Sequence, residues 1–319
     1  MKIAVTGSTG FLGTKLVSVL ALNEVQGSLF LREKSNDIKG FNTFITPTIN
    51  GSTQFKAGLH HIDCVIHCAA RVHIMNDHSK KPLEEFLEVN TYGTLNLARQ
   101  AAKAGVKRFI YLSSIKVNGE STRQGCPFSE IDNPVPHDPY GISKYEAEQG
   151  LLKIAQDTGL EVVIIRPPLI YGPGVKANFL NMMKLVSKGI PLPLGAVVNK
   201  RSFVALDNLV DLICVCIEHP NAKNQVFLAG DGCDVSTTEL LQAMAKALGK
   251  SSRLVPVPMG LLNLGAKLIG KPAIAQRLCG SLQVDISKAQ VLLGWAPPVT
   301  MEQGLQKVAN AFIQEQGKR

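Results

Sequence analysis

The chain has 319 residues, with 34 Lys+Arg against 25 Asp+Glu for a formal net charge of +9. An apolar share of 45% and a charged share of 18% exclude disorder, collagen and coiled coil as whole-chain descriptions, and the length predicts roughly two domains. The opening Met1 to Gly7 is too short an apolar run for a secretory signal, and no stretch reaches about 18 apolar residues, so no membrane span is expected.

Lys2 to Thr6 reads as a short apolar strand and Phe11 to Leu22 as a helix. Between them lies Thr6-Gly7-Ser8-Thr9-Gly10-Phe11-Leu12-Gly13. In a strand–turn–helix setting, Gly7 allows a tight turn, Gly10 lets backbone approach a pyrophosphate, and Gly13 lets the helix close on the sheet. The pyrophosphate would sit on the helix N-terminus, where free N–H groups and the dipole favour an anion. The spacing is G-x-x-G-x-x-G. The next strand, Ser28 to Arg32, ends where an acid often holds a ribose 2′-hydroxyl. Here it ends on Arg32, with Glu33 between Arg32 and Lys34 and with Ser35 beyond. A guanidinium there suits a 2′-phosphate, so NADP(H) is favoured over NAD(H).

His61 to Ala70 carries the buried-looking run Cys64 to Cys68. Pro82 to Ala104 reads as a helix ending at Gly105, Arg108 to Ser113 as a strand, Tyr140 to Thr158 as a helix and Glu161 to Arg166 as a strand. This alternation predicts right-handed βαβ units around a parallel sheet, a doubly wound α/β fold of the Rossmann type. Tyr140 and Lys144, four apart, share one face of their helix. An ammonium near a phenol favours the phenolate, which would exchange a proton with a sugar hydroxyl or ketone at neutral pH. Ser113 and Ser114, at a strand end, would place a hydroxyl beside the same oxygen.

After Arg166 the pattern loosens around Pro167, Pro168, Pro173, Pro191 and Pro193. Asp207 to Glu218 reads as a helix and Gln225 to Leu228 as a strand. Ser236-Thr237-Thr238-Glu239 is a capping box before the helix Leu240 to Leu248. Met259 to Ile269 is the most apolar late segment, and Gly265 and Lys267 interrupt it. It is expected to be a packed amphipathic helix rather than a membrane anchor. The seven cysteines are an odd number in a chain that core burial can hold, which points to free thiols and the cytoplasm. No Cys/His cluster has ligand spacing, so no metal is expected. The basic residues are dispersed without interleaved aromatics, which argues against nucleic acid as partner.

Taken together, the motifs resemble the extended branch of the short-chain dehydrogenase/reductases, which includes UDP-glucose 4-epimerases and nucleotide-sugar 4-ketoreductases. The resemblance covers nearly the whole chain. It rests on Thr6 to Gly13, His67 to Ala70, Val89 to Thr94, Ser113-Ser114, Pro139 to Lys144, Arg166-Pro167 and Tyr171 to Gly174. Arg201 to Val204 leading into Asp207-Asn208-Leu209, and Asp285 to Ala289 before Leu293-Gly294-Trp295, extend it. The resemblance implies Tyr140 as acid/base, Lys144 as its activator and a ribose ligand, and Ser114 as the catalytic hydroxyl. It implies Gly7, Gly10, Phe11 and Leu12 at the pyrophosphate, Ala69 and Ala70 along the cofactor, Asn90 in support and Pro167 near the nicotinamide. Asn178 and Arg201 match diphosphate ligands, and Arg277 would be a second phosphate ligand.

Leu169 departs from the family, standing where many relatives carry Asn. So does Ile115-Lys116-Val117-Asn118, and the long loop Asn118 to Pro139 is expected to border the sugar. The implied organisation is a dinucleotide-binding domain of residues 1–167 with about 202–230, and a nucleotide-sugar domain of 168–201 and 231–319. The expected reaction is reduction of a UDP-linked 4-keto sugar at C4, with 4-epimerisation as the alternative. A cofactor-sensing regulator without catalysis is the reading from a different class. The family implies a homodimer through the helices at 82–104 and 140–158.

Overall fold

The structure is a computed structural model that describes residues 1–34, 38–72, 81–268, 270 and 272–317. Ser35 and Ile269 therefore lie outside the described residues.

Strand β1 (Lys2–Thr6) runs into helix α1 (Phe11–Leu22). Strands β2 (Gln26–Leu31), β3 (Phe41–Ile45) and β4 (Cys64–His67) follow. Helix α2 (Pro82–Phe86) continues through a π-helical turn (Leu87–Gly93) into α3 (Thr94–Lys103). Then come β5 (Arg108–Leu112), α4 (Pro139–Thr158), β6 (Glu161–Arg166), β7 (Leu169–Tyr171) and α5 (Ala177–Ser187). The remainder is β8 (Arg201–Ala205), α6 (Leu206–Glu218), β9 (Gln225–Leu228), β10 (Asp234–Val235), α7 (Thr237–Ala247), α8 (Met259–Leu268), α9 (Pro272–Cys279), α10 (Ser287–Leu293) and α11 (Met301–Gly317).

The main sheet has the order β3-β2-β1-β4-β5-β6-β9, and every pairing in it is parallel. Alternate residues face opposite sides. Ile3, Val5, Ile66, Ile110, Val163 and Ile165 pack with α1 and α6, whereas Ala4, Val65, Phe109, Val162 and Ile164 pack with α3 and α4. Burial on both faces explains why these strands read as near-continuous apolar runs. The chain reverses its winding between β1 and β4. The crevice at their C-terminal ends is where such sheets take ligands.

A second core gathers Tyr171, Phe179, Met183, Leu240, Met244, Leu305 and Val308 beside a three-stranded sheet, β10-β8-β7. The capping box is formed, with Ser236 Oγ accepting from the Glu239 N–H at 3.0 Å and Glu239 accepting from the Ser236 N–H at 2.6 Å. The late apolar helix departs from expectation. In α8, Leu261, Leu264 and Leu268 are 59%, 54% and 80% exposed. The helix pairs with α9 and stands off the second core instead of packing into it.

Candidate active site

At the end of β1 the backbone turns through Gly7 with φ +71°, a conformation that favours glycine. A Cβ at Gly7 would lie 2.6 Å from the Ala69 nitrogen, and one at Gly13 would lie 2.0 Å from the Gly7 carbonyl oxygen. The turn thus rests directly on Ala69, and α1 closes directly on the turn. Gly10 caps α1 without a side chain, and no acid sits in the first turn. The first-turn N–H groups at Phe11 and Leu12 are therefore available to an anion. Ser8 Oγ is buried with no hydrogen-bond partner among the described residues. Glycines that no Cβ can replace, an uncapped helix start and an orphaned buried hydroxyl fit a dinucleotide pyrophosphate.

His67 sets the spacing of this crevice. Its Nδ1 lies 2.6 Å from Thr6 Oγ1 and its Nε2 lies 2.9 Å from Thr94 Oγ1. Thr94 donates to the Asn90 carbonyl, so it accepts from Nε2–H, and Thr6 donates to Nδ1. Thr6 Oγ1 also accepts from the Ala69 N–H at 3.3 Å. Burial first, then the Lys144 charge, pushes His67 down to about 3, so the ring is neutral. Nothing in the sequence beyond its place in the run of residues 67–70 signals this tie.

Asn90, in the π-helical turn, is a strut. Its amide NH2 donates to the Arg71 carbonyl and to Ser143 Oγ, both at 3.0 Å, and its oxygen accepts from the Arg71 N–H at 2.8 Å. It ties the segment after Ala70 to the start of α4. Ala69 and Ala70 are half-buried beside the turn.

Asp138 caps α4, accepting from the Gly141 N–H at 2.6 Å, and Lys116 donates to its other oxygen. This starts the helix one residue before Tyr140. The structure brings Tyr140, Ser114 and Lys144 together. Ser114 lies close enough to Tyr140 for its hydroxyl to draw the phenol's pKa down. Lys144 Nζ lies 5.9 Å from the Tyr140 ring centroid and 4.6 Å from that of Tyr111, and donates to the Leu112 carbonyl at 2.7 Å.

The protonation expected from the sequence needs correction. Tyr140 is pushed up to about 12, by burial first and the Asp138 charge second, against a lowering pull from Ser114. Lys144 is itself pushed down to about 8 by burial. The cost of a buried phenolate outweighs the pull of an ammonium that is bonded to a carbonyl.

Ser113 belongs to a different network. Its hydroxyl donates to Glu148 Oε1, and Glu148 pairs with Arg166 at 2.5 Å. Arg166 also donates to Asn118 Oδ1 at 2.9 Å. All four side chains are buried, and they lock β5, α4 and β6 together under the site. The Pro167 carbonyl, next in the chain, accepts from the Ile115 N–H at 3.0 Å.

The remaining candidates are more dispersed. Arg32 is exposed just beyond β2. Asn178 is exposed in the first turn of α5, and Leu169 is 38% exposed. Arg201 is half-buried and donates to the carbonyls of Arg277 at 3.1 Å and Gly280 at 3.0 Å. Burial pushes its pKa down. Arg277 thus meets Arg201 through its backbone, while its own side chain is exposed.

Residues 3–230 match the family described as "Epimerase: NAD dependent epimerase/dehydratase family". The chain is 53% identical over 314 residues to a UDP-glucose 4-epimerase of Vibrio cholerae, covering 98% of this chain and 95% of that protein. It is 27% identical to an N-acetyl-alpha-D-glucosaminyl-diphospho-ditrans,octacis-undecaprenol 4-epimerase of Escherichia coli O157:H7, covering 96% of this chain and 93% of that one. Among solved structures, UDP-glucuronic acid 4-epimerase from Bacillus cereus in complex with NAD has the same fold. Its TM-score is 0.79 at 23% identity, over 98% of this chain and 97% of that one. Carrying the glycine turn, the assembled Ser114–Tyr140–Lys144 and a family match over most of its length, this chain belongs to the NAD-dependent epimerase/dehydratase family of enzymes.

Proposed function

We propose that the chain is a 4-epimerase of UDP-linked hexoses. The observation that carries this reading is the 53% identity to a UDP-glucose 4-epimerase over nearly the full length of both chains. Gly7, Gly10, Phe11, Leu12 and Gly13 would hold the cofactor pyrophosphate, with Ala69 and Ala70 alongside. When bound, the nicotinamide supplies the acceptor and donor of hydride at C4 of the sugar.

The chain's own residues handle the proton. Once ionised, Tyr140 Oη takes it from the 4-hydroxyl and returns it after the 4-keto sugar has turned its other face. Ser114, beside Tyr140, orients the sugar oxygen. Lys144 supplies positive charge behind the ring and opposes the penalty that burial places on the phenolate. Arg201, Arg277 and Asn178 would meet the nucleotide diphosphate. Those three residues fall in the nucleotide-sugar domain, 168–201 and 231–319, and not in the dinucleotide-binding domain, 1–167 with about 202–230. Two copies would pair through the helices at 82–104 and 140–158, a pairing that the mass in solution checks.

Arg32 favours a second reading, reduction of a UDP-4-keto sugar with NADP(H), because a guanidinium at the end of β2 suits a 2′-phosphate. NAD(H) is the cofactor of the epimerase reading. Purified enzyme incubated with UDP-glucose, UDP-galactose and their N-acetyl forms, without added cofactor, decides between them. Interconversion of a 4-epimeric pair is expected. Its absence, with NADPH consumed on a 4-keto sugar, would establish the reductase.

A further inference from the structure

The apolar face of α8 is unaccounted for by the candidate active site. Leu261, Leu264 and Leu268 recur at i, i+3 and i+7 and so share one face, and each is more than half exposed. Monomeric proteins seldom leave such a row uncovered without a partner.

The charge around the row selects the occupant. From Leu240 to Val284 the sequence contains no Asp or Glu but six Lys or Arg. Lys250 and Arg253, on the loop leading into α8, and Lys267, beside Leu268, are all exposed. A second copy docked face to face would set the same cations against each other. An apolar face on a stretch of chain whose charged residues are all cations matches a surface that is apolar within and anionic outside. At 10 residues α8 is about 15 Å long, too short to cross a bilayer, and no helix among the described residues is long and apolar enough to do so.

We infer that α8 lays its leucine face on the surface of a bilayer containing anionic phospholipid, with Lys250, Arg253 and Lys267 at the headgroups. The geometry is that of an interfacial amphipathic helix, held by shallow apolar burial plus attraction to anionic lipid. The helix leads through α9 to Arg277, whose carbonyl receives Arg201. The inference stands whichever sugar reaction the enzyme runs.

The test is co-sedimentation of the full chain with vesicles of phosphatidylglycerol and phosphatidylethanolamine, and with vesicles of phosphatidylcholine alone. Binding is expected to the anionic vesicles only, and to weaken as salt is added. Combining Leu261→Gln, Leu264→Gln and Leu268→Gln should lower the partition coefficient about a hundredfold, and Lys267→Gln about fivefold. Because these side chains are exposed, the melting temperature should not move. Three results would overturn the inference. One is no binding to anionic vesicles, and another is full binding by the leucine variant. The third is a wild-type oligomer that the leucine substitutions dissociate, without vesicle binding by either protein.

Discussion

Tyr140 holds its proton, because burial and the Asp138 charge penalise the phenolate more than Ser114 favours it. The group is therefore a poised acid whose ionisation waits for a change in its surroundings. Difference titration of tyrosinate absorbance between wild type and Tyr140→Phe, among five tyrosines, should show no phenolate near neutral pH. A component titrating between pH 6 and 7 would refute the burial argument. With substrate, Tyr140→Phe should keep fold and cofactor binding and lose about two to four orders of magnitude in turnover. His67 gives a stability prediction. Its ordinary value is 6.5, and in the fold it falls to about 3. Below pH 6.5 the unfolded chain binds a proton that the folded ring refuses. The contribution is therefore full above 6.5 and is lost as pH falls toward 3, by about 1.4 kcal/mol per pH unit. Urea unfolding of wild type and His67→Gln across this window should give slopes that differ by that amount. Parallel profiles would count against a neutral His67.

Among the elements, α4 carries two residues of the site and is fixed by its ends and its underside. Asp138 caps it, Asn90 and Thr91 hold Ser143, and Glu148 pairs with Arg166 on β6. Glu148→Gln leaves a buried guanidinium uncompensated and should cost about 3–5 kcal/mol, read by thermal or urea unfolding. A loss below 1 kcal/mol would mean that the pair is incidental. Those elements whose local chemistry agrees with their setting were legible in the sequence. The β1–turn–α1 unit, β6, β9 and the Ser236 capping box appear where the residues place them. Strand β3 was not legible. Phe41-Asn42-Thr43-Phe44-Ile45 lies at the sheet edge with Ile45 54% exposed, so its alternation is weak. Nor was the π-helical turn, since a single widened turn leaves the apolar period of residues 82–104 almost unchanged. Periodicity gave α8 its helix but not its exposure, because an apolar stripe reads alike whether it meets a core or another surface. At the site, Tyr140 and Lys144 were legible from their spacing, whereas Ser114 was separated from Ser113 only by the family resemblance. The Glu148–Arg166 pair was not legible, because it joins positions 18 apart across two elements.

For the molecule as a whole, the chain leaves the main sheet at Pro167–Pro168 and at once builds β7, whose partner β8 returns through α6 to the main sheet at β9. The two cores are thus joined by crossings of the chain, not by one linker. A ligand held between them should stabilise both. Under the proposed division, UDP touches Arg201 at the edge of the second core and no part of the glycine turn. A dinucleotide does the reverse. Hydrogen exchange separates the two cases. UDP should slow exchange around Asn178, residues 196–204 and residues 277–283. It should raise the melting temperature according to its concentration, by about 2.7 kcal/mol of stabilisation at a hundred times its Kd. The dinucleotide should slow exchange from Gly7 to Gly13 and around Ala69. If UDP protected the glycine turn and left residues 196–204 unchanged, Arg201 and Arg277 would be lost as phosphate ligands. The diphosphate site would then have to lie within the main sheet, beside Ser8.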